Sequence, residues 1–425
     1  MPETARQAAP RTAGAPRRRT IGVVTPDYGH IGGLRAVAEF LRRSIERYSD
    51  FEVRMFSLAT SWRDPCNLSL SQPRTWRTGA RAEPRVLDGQ AYVHVGARFG
   101  EFEFSRYGSN GLLRRLLAEC DLVQVVAGAP AWAWPAVGLG KPVALQVATL
   151  TAVERRQRQR EDKGPLGAWR RVMTAMASRA DQTALTKVDA ILVENPWMLD
   201  HVRRVADGHA LIRYGPPGVN TGLFRPLSPG ERDATRPYIL AVGRFSDPRK
   251  NLGLLLDAYA RTTTAVGGSP DLVLAGATEA GPEFHRRVEV LGLGGRVRLV
   301  HRPDSDALAR LYRNALCLAL PSDEEGFGMV VIEAMASGVP VVSTRCGGPD
   351  GIIHDGQNGF LVDLADPAAF SDRLVRLIDS PELASGMGAA ARRTVEARYA
   401  EPVAARTFLD VYETLLAGVP ARIGG

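Results

Sequence analysis

The feature that most constrains the fold is a strand–turn–helix–strand pattern over residues 316–344. The apolar run at 316–320 has the length of a buried strand, and residues 329–337 are typical of a helix. Gly338 and Pro340 end that helix, and residues 339–344 are typical of the next strand. A crossover helix returns the chain to the same end of the sheet, so the two strands are expected to be parallel. The segment therefore predicts one βαβ unit.

The turn of this unit holds a pair of carboxylates eight residues apart. Glu325 lies in the turn, Glu333 lies inside the helix, and Gly326 and Gly328 follow Glu325 closely. Backbone N–H groups at such a helix start attract anions. Carboxylates on either side can accept hydrogen bonds from sugar or ribose hydroxyls. The pattern favours a site for a sugar joined to a phosphate, and the alternative is a capping Glu325 with a solvated Glu333.

Cations follow a second predicted strand, at residues 238–242. Arg244 stands at the carboxyl end of that strand, where open α/β sheets bind ligands. Lys250 opens the next helix, although the helix dipole disfavours a cation there. An anionic ligand removes this conflict, and a diphosphate suits both an Arg fork and a Lys point charge. Arg249 is a competing cation, and two solvated surface cations remain the alternative.

Apolar strands alternate with helical stretches along the rest of the chain, which indicates an α/β fold with parallel sheets. A chain of 425 residues is long enough for two or three domains. The segment 215–222 is rich in Gly and Pro and marks a linker, and the second half is expected to start near Pro237. Further strands are predicted at 20–25, 52–57, 91–95, 122–126, 143–147, 190–193, 272–275 and 297–300.

The segments 238–259 and 316–344 resemble the Gly-Arg…Lys-Asn and Glu-x7-Glu motifs of retaining GT-B glycosyltransferases of family 4. The resemblance is strong over about 238–412 and weaker over 20–225. It implies the GT-B fold, in which two Rossmann-like, doubly wound domains face each other across a cleft. It also implies a disordered tail (1–19), an acceptor domain (20–225), a nucleotide-sugar domain (226–400) and a C-terminal helix that crosses back to the first domain (401–425).

The resemblance implies roles for the matching residues. Arg244 and Lys250 would contact the donor diphosphate, and Glu325 the transferred sugar, which makes these three the catalytic candidates. Glu333 would bind the ribose. The other donor-binding candidates comprise an N-terminal glycine pair, a residue near the base, and the turn before the helix: Gly32, Gly33, Arg302, Gly326, Phe327, Gly328, Met329 and Val330.

One position departs from the family pattern. The family commonly has a His after the strand at 143–147, and by that alignment it becomes Ala148. Thr149, Gln146 or His30 could take its part, or the chain works poorly on ordinary hexosyl donors. No residue is assigned as a catalytic base, because in retaining enzymes of this fold the donor diphosphate can take the acceptor proton.

Acceptor-binding residues are not defined by the sequence. Trp132 and Trp134 follow the strand at 122–126 and are candidates for stacking on an acceptor, as is Thr149 for a polar contact. Packing in the core or at the rim explains the two Trp residues equally well. The charged stretch 154–163 could flank the acceptor or touch lipid headgroups, and a solvated helix face is the simpler interpretation.

Charge is unevenly distributed along the chain. Residues 1–227 carry 33 Lys and Arg against 21 Asp and Glu, within a net charge of +8. A basic first half can recruit an acidic acceptor or an anionic membrane surface. No nucleic-acid-binding module is recognisable. The tail lacks a hydrophobic segment, and no apolar run is long enough to span a bilayer, so a cytoplasmic protein is expected, with contact at the inner membrane face left open.

Metal binding is not expected. The four cysteines, Cys66, Cys120, Cys317 and Cys346, are scattered without a Cys-x-x-Cys pair, which argues against a zinc site or disulfides. Residues 304–306 read Asp-Ser-Asp, a pattern that holds a divalent metal in another glycosyltransferase fold. Here the pattern precedes a helix, and Asp306 or Ser305 is predicted as its N-cap.

The resemblance, together with these observations, predicts a retaining glycosyltransferase that moves a sugar from a nucleoside diphosphate, UDP or GDP most readily, to an acceptor hydroxyl without metal or other cofactor. The acceptor could belong to a cell-envelope glycan, a glycolipid or a natural product. The alternatives are an inactive GT-B homologue that serves as a binding or activating subunit, and an epimerase or phosphorylase on the same fold.

Overall fold

A computed structural model describes residues 17–29, 32–108, 110–156, 164–206, 208, 210–228, 230–231, 238–276 and 281–418. Most of the predicted tail, His30, residues 157–163 of the charged stretch and Pro237 lie outside the described residues.

The first sheet covers residues 20–214. Its strands are β1 (Thr20–Pro26), β2 (Glu52–Leu58), β3 (Ala82–Leu87), β4 (Gln90–Val95), β5 (Leu122–Ala127), β6 (Val143–Val147), β7 (Ala190–Val193) and β8 (Leu211–Tyr214). They lie in the order β3-β4-β2-β1-β5-β6-β7-β8. Only β3 runs antiparallel to its neighbour in the described part of this sheet. The strand order reverses between β1 and β5, which marks a topological switch point.

The second sheet covers residues 238–362 and is parallel throughout its described strands. The strands are β9 (Tyr238–Val242), β10 (Asp271–Gly276), β11 (Val297–His301), β12 (Ala315–Leu320), β13 (Val341–Thr344) and β14 (Gly359–Val362). Their order is β11-β10-β9-β12-β13-β14, so the switch point falls between β9 and β12. The predicted βαβ unit is found as β12, a helix and β13.

Helices cover both sheets. They are α1 (Gly33–Tyr48), α2 (Arg74–Thr78), α3 (Glu103–Arg106), α4 (Gly111–Leu117), α5 (Thr151–Glu154), α6 (Gly164–Leu185), α7 (Pro196–Val205), α8 (Leu252–Ala265), α9 (Pro282–Val290), α10 (Ser305–Asn314), α11 (Met329–Ala336), α12 (Pro367–Asp379), α13 (Pro381–Arg398) and α14 (Glu401–Leu416). Central strands such as β5 and β6 are buried along their whole length, because helices pack on both of their faces.

The last helix, α14, packs on the first domain. Phe408 meets Phe40 of α1 edge-on at 5.6 Å between ring centroids, and Tyr412 donates a hydrogen bond of 3.0 Å to Gln124 of β5. The chain enters α14 beside the linker from the first domain. There the Val219 N–H donates to Tyr399 O at 2.8 Å, and the Glu401 N–H donates to Val219 O at 3.0 Å.

Candidate functional site

The switch point of the second sheet brings two predicted site residues into contact. Lys250 follows β9, Glu325 follows β12, and their Nζ and Oε1 atoms are 2.5 Å apart. The Ser322 hydroxyl also donates to Glu325 Oε1, at 2.7 Å. Only 17% of the Lys250 side chain and 12% of the Glu325 side chain are exposed. The strand order therefore assembles a shielded ion pair at the carboxyl ends of neighbouring strands.

Arg244 is more open than Lys250 and faces the first domain. About half of its side chain is exposed, and its guanidinium lies 3.6 Å from Asp247. A Cβ built on Gly32, at the start of α1, would lie 4.0 Å from Arg244 Nε, and one on Gly33 would meet nothing within 4 Å. The structure thus places the Arg244 side chain close to Gly32 of the predicted glycine pair.

Arg249, the competing cation, has carboxylate partners on both sides of the cleft. Its guanidinium lies 2.8 Å from Asp247, 3.5 Å from Glu324 and 3.7 Å from Glu154 of the first domain. Burial alone would lower the pKa of Arg249, but these carboxylates more than offset it and raise the pKa. Arg249 is therefore engaged in a contact between the domains, which leaves Arg244 and Lys250 as the better candidates for an anionic ligand.

The turn before α11 depends on two glycines. Gly328 has a φ of +98° and precedes the helix without a side-chain cap. That backbone conformation is readily adopted by glycine and strains other residues. A Cβ on Gly326 would lie 2.7 Å from Ala148 Cβ, so residue 326 must lack a side chain in this arrangement. The Phe327 side chain is buried, which leaves only its backbone for a ligand.

The first amides of α11 belong to Met329 and Val330. Amides in the first turn of a helix lack partners within the helix and present partial positive charge. Because α11 starts beside the Lys250–Glu325 pair, this turn and the two cations surround the same end of the sheet. The structure therefore brings together the predicted turn residues and the predicted diphosphate ligands.

Glu333 lies one helical turn further along α11. Its carboxylate accepts a hydrogen bond of 2.8 Å from Tyr312 of α10. Burial raises the pKa of Glu333 to about 7, although the Tyr312 hydroxyl acts in the opposite direction. Perturbed carboxyl groups in clefts are frequent at functional sites. Tyr312 was not among the predicted site residues, because it belongs to a helix pattern that reads as ordinary core.

The predicted base contact, Arg302, lies further out. It follows β11 at the edge of the sheet, has a φ of +44°, and its N–H donates to Gly276 O at 2.8 Å. Arg302 is exposed.

The first domain contributes residues that directly contact the Glu325 turn. The Asn195 amide donates to both Ala148 O and Gly326 O, each at 2.6 Å. Thr149 donates to Glu324 at 3.1 Å, and burial raises the pKa of that carboxyl. The position where the family pattern has His is thus beside the turn, with Ala148 in contact with Gly326. Asn195 was not predicted as a site residue, because Asn before Pro at the start of a helix is typical of an N-cap. Asn195 does cap this helix as well.

The two candidate Trp residues differ in their surroundings. Trp132 meets Tyr107 edge-on at 5.0 Å and packs against the core of the first domain. This packing accounts for Trp132 without an acceptor. Trp134 is partly buried in the turn Pro130–Ala136 that follows β5, and Gln146 is fully buried.

The Asp-x-Asp segment requires a correction. Asp304, and not Asp306 or Ser305, is the N-cap of α10, because its carboxylate accepts the Ala307 N–H at 2.7 Å. The helix starts at Ser305, one residue before the earliest start that the predicted caps imply.

Comparisons with known proteins agree with this architecture. Residues 228–394 match the family described as "Glycosyl transferases group 1". A D-inositol 3-phosphate glycosyltransferase from Streptomyces griseus is 33% identical over 233 residues, which are 47% of this chain and 48% of that protein. The chain thus spans about half the length of the curated relatives it matches.

Solved structures match over almost the whole chain. Sucrose-phosphate synthase from Thermosynechococcus elongatus has a TM-score of 0.69 at 22% identity, over 94% of this chain and 100% of that one. HepE from Anabaena, solved in complex with UDP-glucose, has a TM-score of 0.64 at 16% identity, over 92% and 99% of the two chains. The protein has the GT-B fold, which confirms the predicted fold class.

In the described part of the chain, the helices are all too short or too polar to cross a lipid bilayer.

Proposed function

We propose that the protein transfers a sugar from a nucleoside-diphosphate sugar to an acceptor hydroxyl, with retention at the anomeric carbon. The observation that carries this proposal is the convergence of Arg244, Lys250 and Glu325 at the switch point of the second sheet. The match of residues 228–394, which contain all three residues, to glycosyl transferases group 1 also supports it.

The chemistry follows from the charges. Departure of the diphosphate develops negative charge, which Arg244, Lys250 and the first amides of α11 stabilise. Lys250 is already held by Glu325, so its ammonium is positioned before the donor arrives. Glu325 contacts the transferred sugar, and Glu333 binds the ribose hydroxyls. The leaving diphosphate takes the acceptor proton, and closure of the domains excludes water.

The donor carries UDP or GDP in this proposal. HepE, which shares the fold, is solved with UDP-glucose, which supports UDP. A thermal-shift panel of UDP, GDP, ADP, TDP and their sugar conjugates tests the site. A ligand at 100 times its Kd stabilises by about 2.7 kcal/mol. We expect one nucleotide to raise the Tm of the wild type but not of Glu333→Ala. An equal shift in both proteins would place the nucleotide elsewhere.

Catalysis needs no divalent metal in this proposal, because Arg244 and Lys250 supply the positive charge at the diphosphate. The Asp304 carboxylate is committed to capping α10. We expect the initial rate of product formation to be the same in excess EDTA and in added Mg²⁺. Loss of activity in EDTA with rescue by Mg²⁺ would contradict this proposal. No resident cofactor is required.

We also propose that α6 rests on an anionic membrane surface. Trp169, Val172 and Met176 are each at least 40% exposed and lie on one face of the helix. The only acidic residue of α6, Asp181, is buried, whereas Arg179 is exposed. Apolar side chains flanked by basic ones suit an interfacial helix. In a co-sedimentation assay, a larger fraction of the wild-type protein should sediment with anionic vesicles than with neutral ones.

The matched control for this surface is another exposed Trp. Trp76, on α2, is 60% exposed. Trp169→Ala should weaken vesicle binding, and Trp76→Ala should not. Equal binding by both variants would show that α6 is not the contact surface.

A second candidate is a GT-B protein that binds the donor without transferring it. The observation in its favour is Ala148, which stands beside Gly326 where the family pattern has His. Nucleotide binding without donor hydrolysis or transfer to any acceptor tested would favour this candidate. An epimerase or phosphorylase would instead be revealed by the product formed when no acceptor is added.

A further inference from the structure

A cluster of three side chains that can bind a metal lies in the first domain and contains none of the donor-site residues. Asp64 and Cys66 belong to the loop after β2, and His94 lies on β4. His94 Nε2 is 2.9 Å from Asp64 Oδ2. One ligand atom of each residue lies within 4.8 Å of the other two. A nitrogen, an oxygen and a sulfur donor thus lie together in one small cluster.

The His94 ring is held in the orientation that a ligand requires. Its second nitrogen, Nδ1, is 3.2 Å from the Ser57 hydroxyl. Ser57 lies directly opposite His94 in the β2–β4 register. A hydrogen bond to the far nitrogen fixes the ring and is the usual support of a metal-binding His. Both His94 and Cys66 are buried, so the two donors are shielded from water.

The charges around the sulfur also bear on a cation. Arg85 lies 3.5 Å from Cys66 Sγ, and Glu83 lies 3.5 Å from Arg85 and 3.4 Å from Arg81. Glu83 therefore offsets the positive charge of these arginines. A bound soft cation would displace the proton of the Cys66 thiol.

We infer that Asp64, Cys66 and His94 bind a thiophilic divalent cation such as Zn²⁺, which stabilises the first domain and takes no part in sugar transfer. Tetrahedral zinc with N and O ligands at about 2.0–2.2 Å requires those two atoms to lie about 3.3 Å apart. The present 2.9 Å therefore has to widen by a few tenths of an ångström as the shared proton leaves. A water molecule completes the coordination.

The place of the cluster indicates what the cation would hold together. The Ser57 hydroxyl that orients His94 also accepts the Tyr28 N–H at 3.1 Å. The neighbouring Asp27 N–H donates to Leu58 O at 3.0 Å. The cation would therefore join β2, β4 and the loop at 61–67 beneath the turn that leads from β1 to α1.

Cobalt substitution tests the inference, because Co²⁺ reports both its geometry and its sulfur ligand. Metal-stripped, full-length protein is titrated with Co²⁺. We expect one equivalent to give the visible bands of a four-coordinate ion and a thiolate-to-cobalt charge-transfer band. Zn²⁺ should then bleach both. Cys66→Ala should lose the charge-transfer band, and Cys120→Ala, which removes another buried thiol of the same domain, should keep it.

Two further variants keep the test decisive if Cys66→Ala does not fold. His94→Gln and Asp64→Asn retain the size and hydrogen-bonding capacity of the side chains but weaken ligation. Zn²⁺ should raise the Tm of the wild type and leave the Tm of both variants unchanged. Absence of cobalt bands in the wild type, bands that persist in Cys66→Ala, or equal zinc shifts in all proteins would overturn the inference.

Discussion

Lys250→Ala is expected to lower kcat by about 10²–10³-fold, which corresponds to about 3–4 kcal/mol of lost transition-state stabilisation. The loss should fall on kcat more than on KM, because the charge on the leaving diphosphate grows as the glycosidic bond breaks. Steady-state transfer kinetics at saturating donor measure this effect. Near-normal turnover would remove Lys250 from the mechanism.

The control for Lys250→Ala must separate a catalytic loss from a general one. Lys187→Ala removes an exposed lysine of the first domain and should leave both kinetic parameters unchanged. The substitution at Lys250 also strips Glu325 of its ionic partner, so a thermal melt must show that the variant is folded at the assay temperature. A fully folded variant with the expected loss assigns the effect to the missing ammonium.

Glu333→Gln is expected to stabilise the unliganded protein at alkaline pH. The carboxyl has a pKa of about 7 in the folded protein, against an ordinary value of 4.5 for a Glu side chain. The folded state therefore binds more protons than the unfolded state between these values, and the free energy of unfolding falls as pH rises through that window. The amide has no such dependence. We expect the variant to gain about 2–3 kcal/mol at pH 8 and little at pH 4, measured by urea unfolding.

The same substitution should weaken nucleotide binding, because a neutral amide is a poorer acceptor for ribose hydroxyls than a carboxylate. Hydrogen bonds to charged groups contribute about 1.5–3 kcal/mol. The variant should therefore be more stable than the wild type without ligand and yet bind the nucleotide more weakly. If Glu333 had only a structural role, the substitution would change the stability and leave the nucleotide affinity unchanged. Glu283→Gln on α9, an exposed position, should change neither quantity. A gain in stability that is independent of pH would contradict the assigned pKa.

The sequence predicts the inner strands of both sheets better than the outer ones. Buried strands such as β5 and β12 are short apolar runs, and their positions agree with prediction to within a residue. The strands without a predicted counterpart, β3, β8 and β14, are the end strands of the sheets. β3 contains Pro84 and charged residues, which an end strand tolerates because one edge needs no partner.

In the candidate site, local motifs could be predicted from the sequence, whereas contacts between the domains could not. Residues next to one another in the chain, such as the Glu325 turn, carry a local pattern that indicates a ligand. Contacts between the domains carry no such pattern, because residues 95 or more positions apart meet only after folding. Asn195 reaching Gly326, and Arg249 reaching Glu154, belong to this group. The proximity of Cys66 to His94 likewise could not be predicted from the scattered spacing of the cysteines.

The two chain segments that connect the domains lie side by side. Val219 on the outgoing segment pairs with Ala400 on the returning one, through the backbone bonds to Tyr399 and Glu401. Two separated connections would let the halves twist and slide. Two connections joined at one point form a common pivot, because sliding of one segment past the other would break the paired amides. In an opening of the protein about this pivot, the distance that an atom travels grows with its separation from Val219.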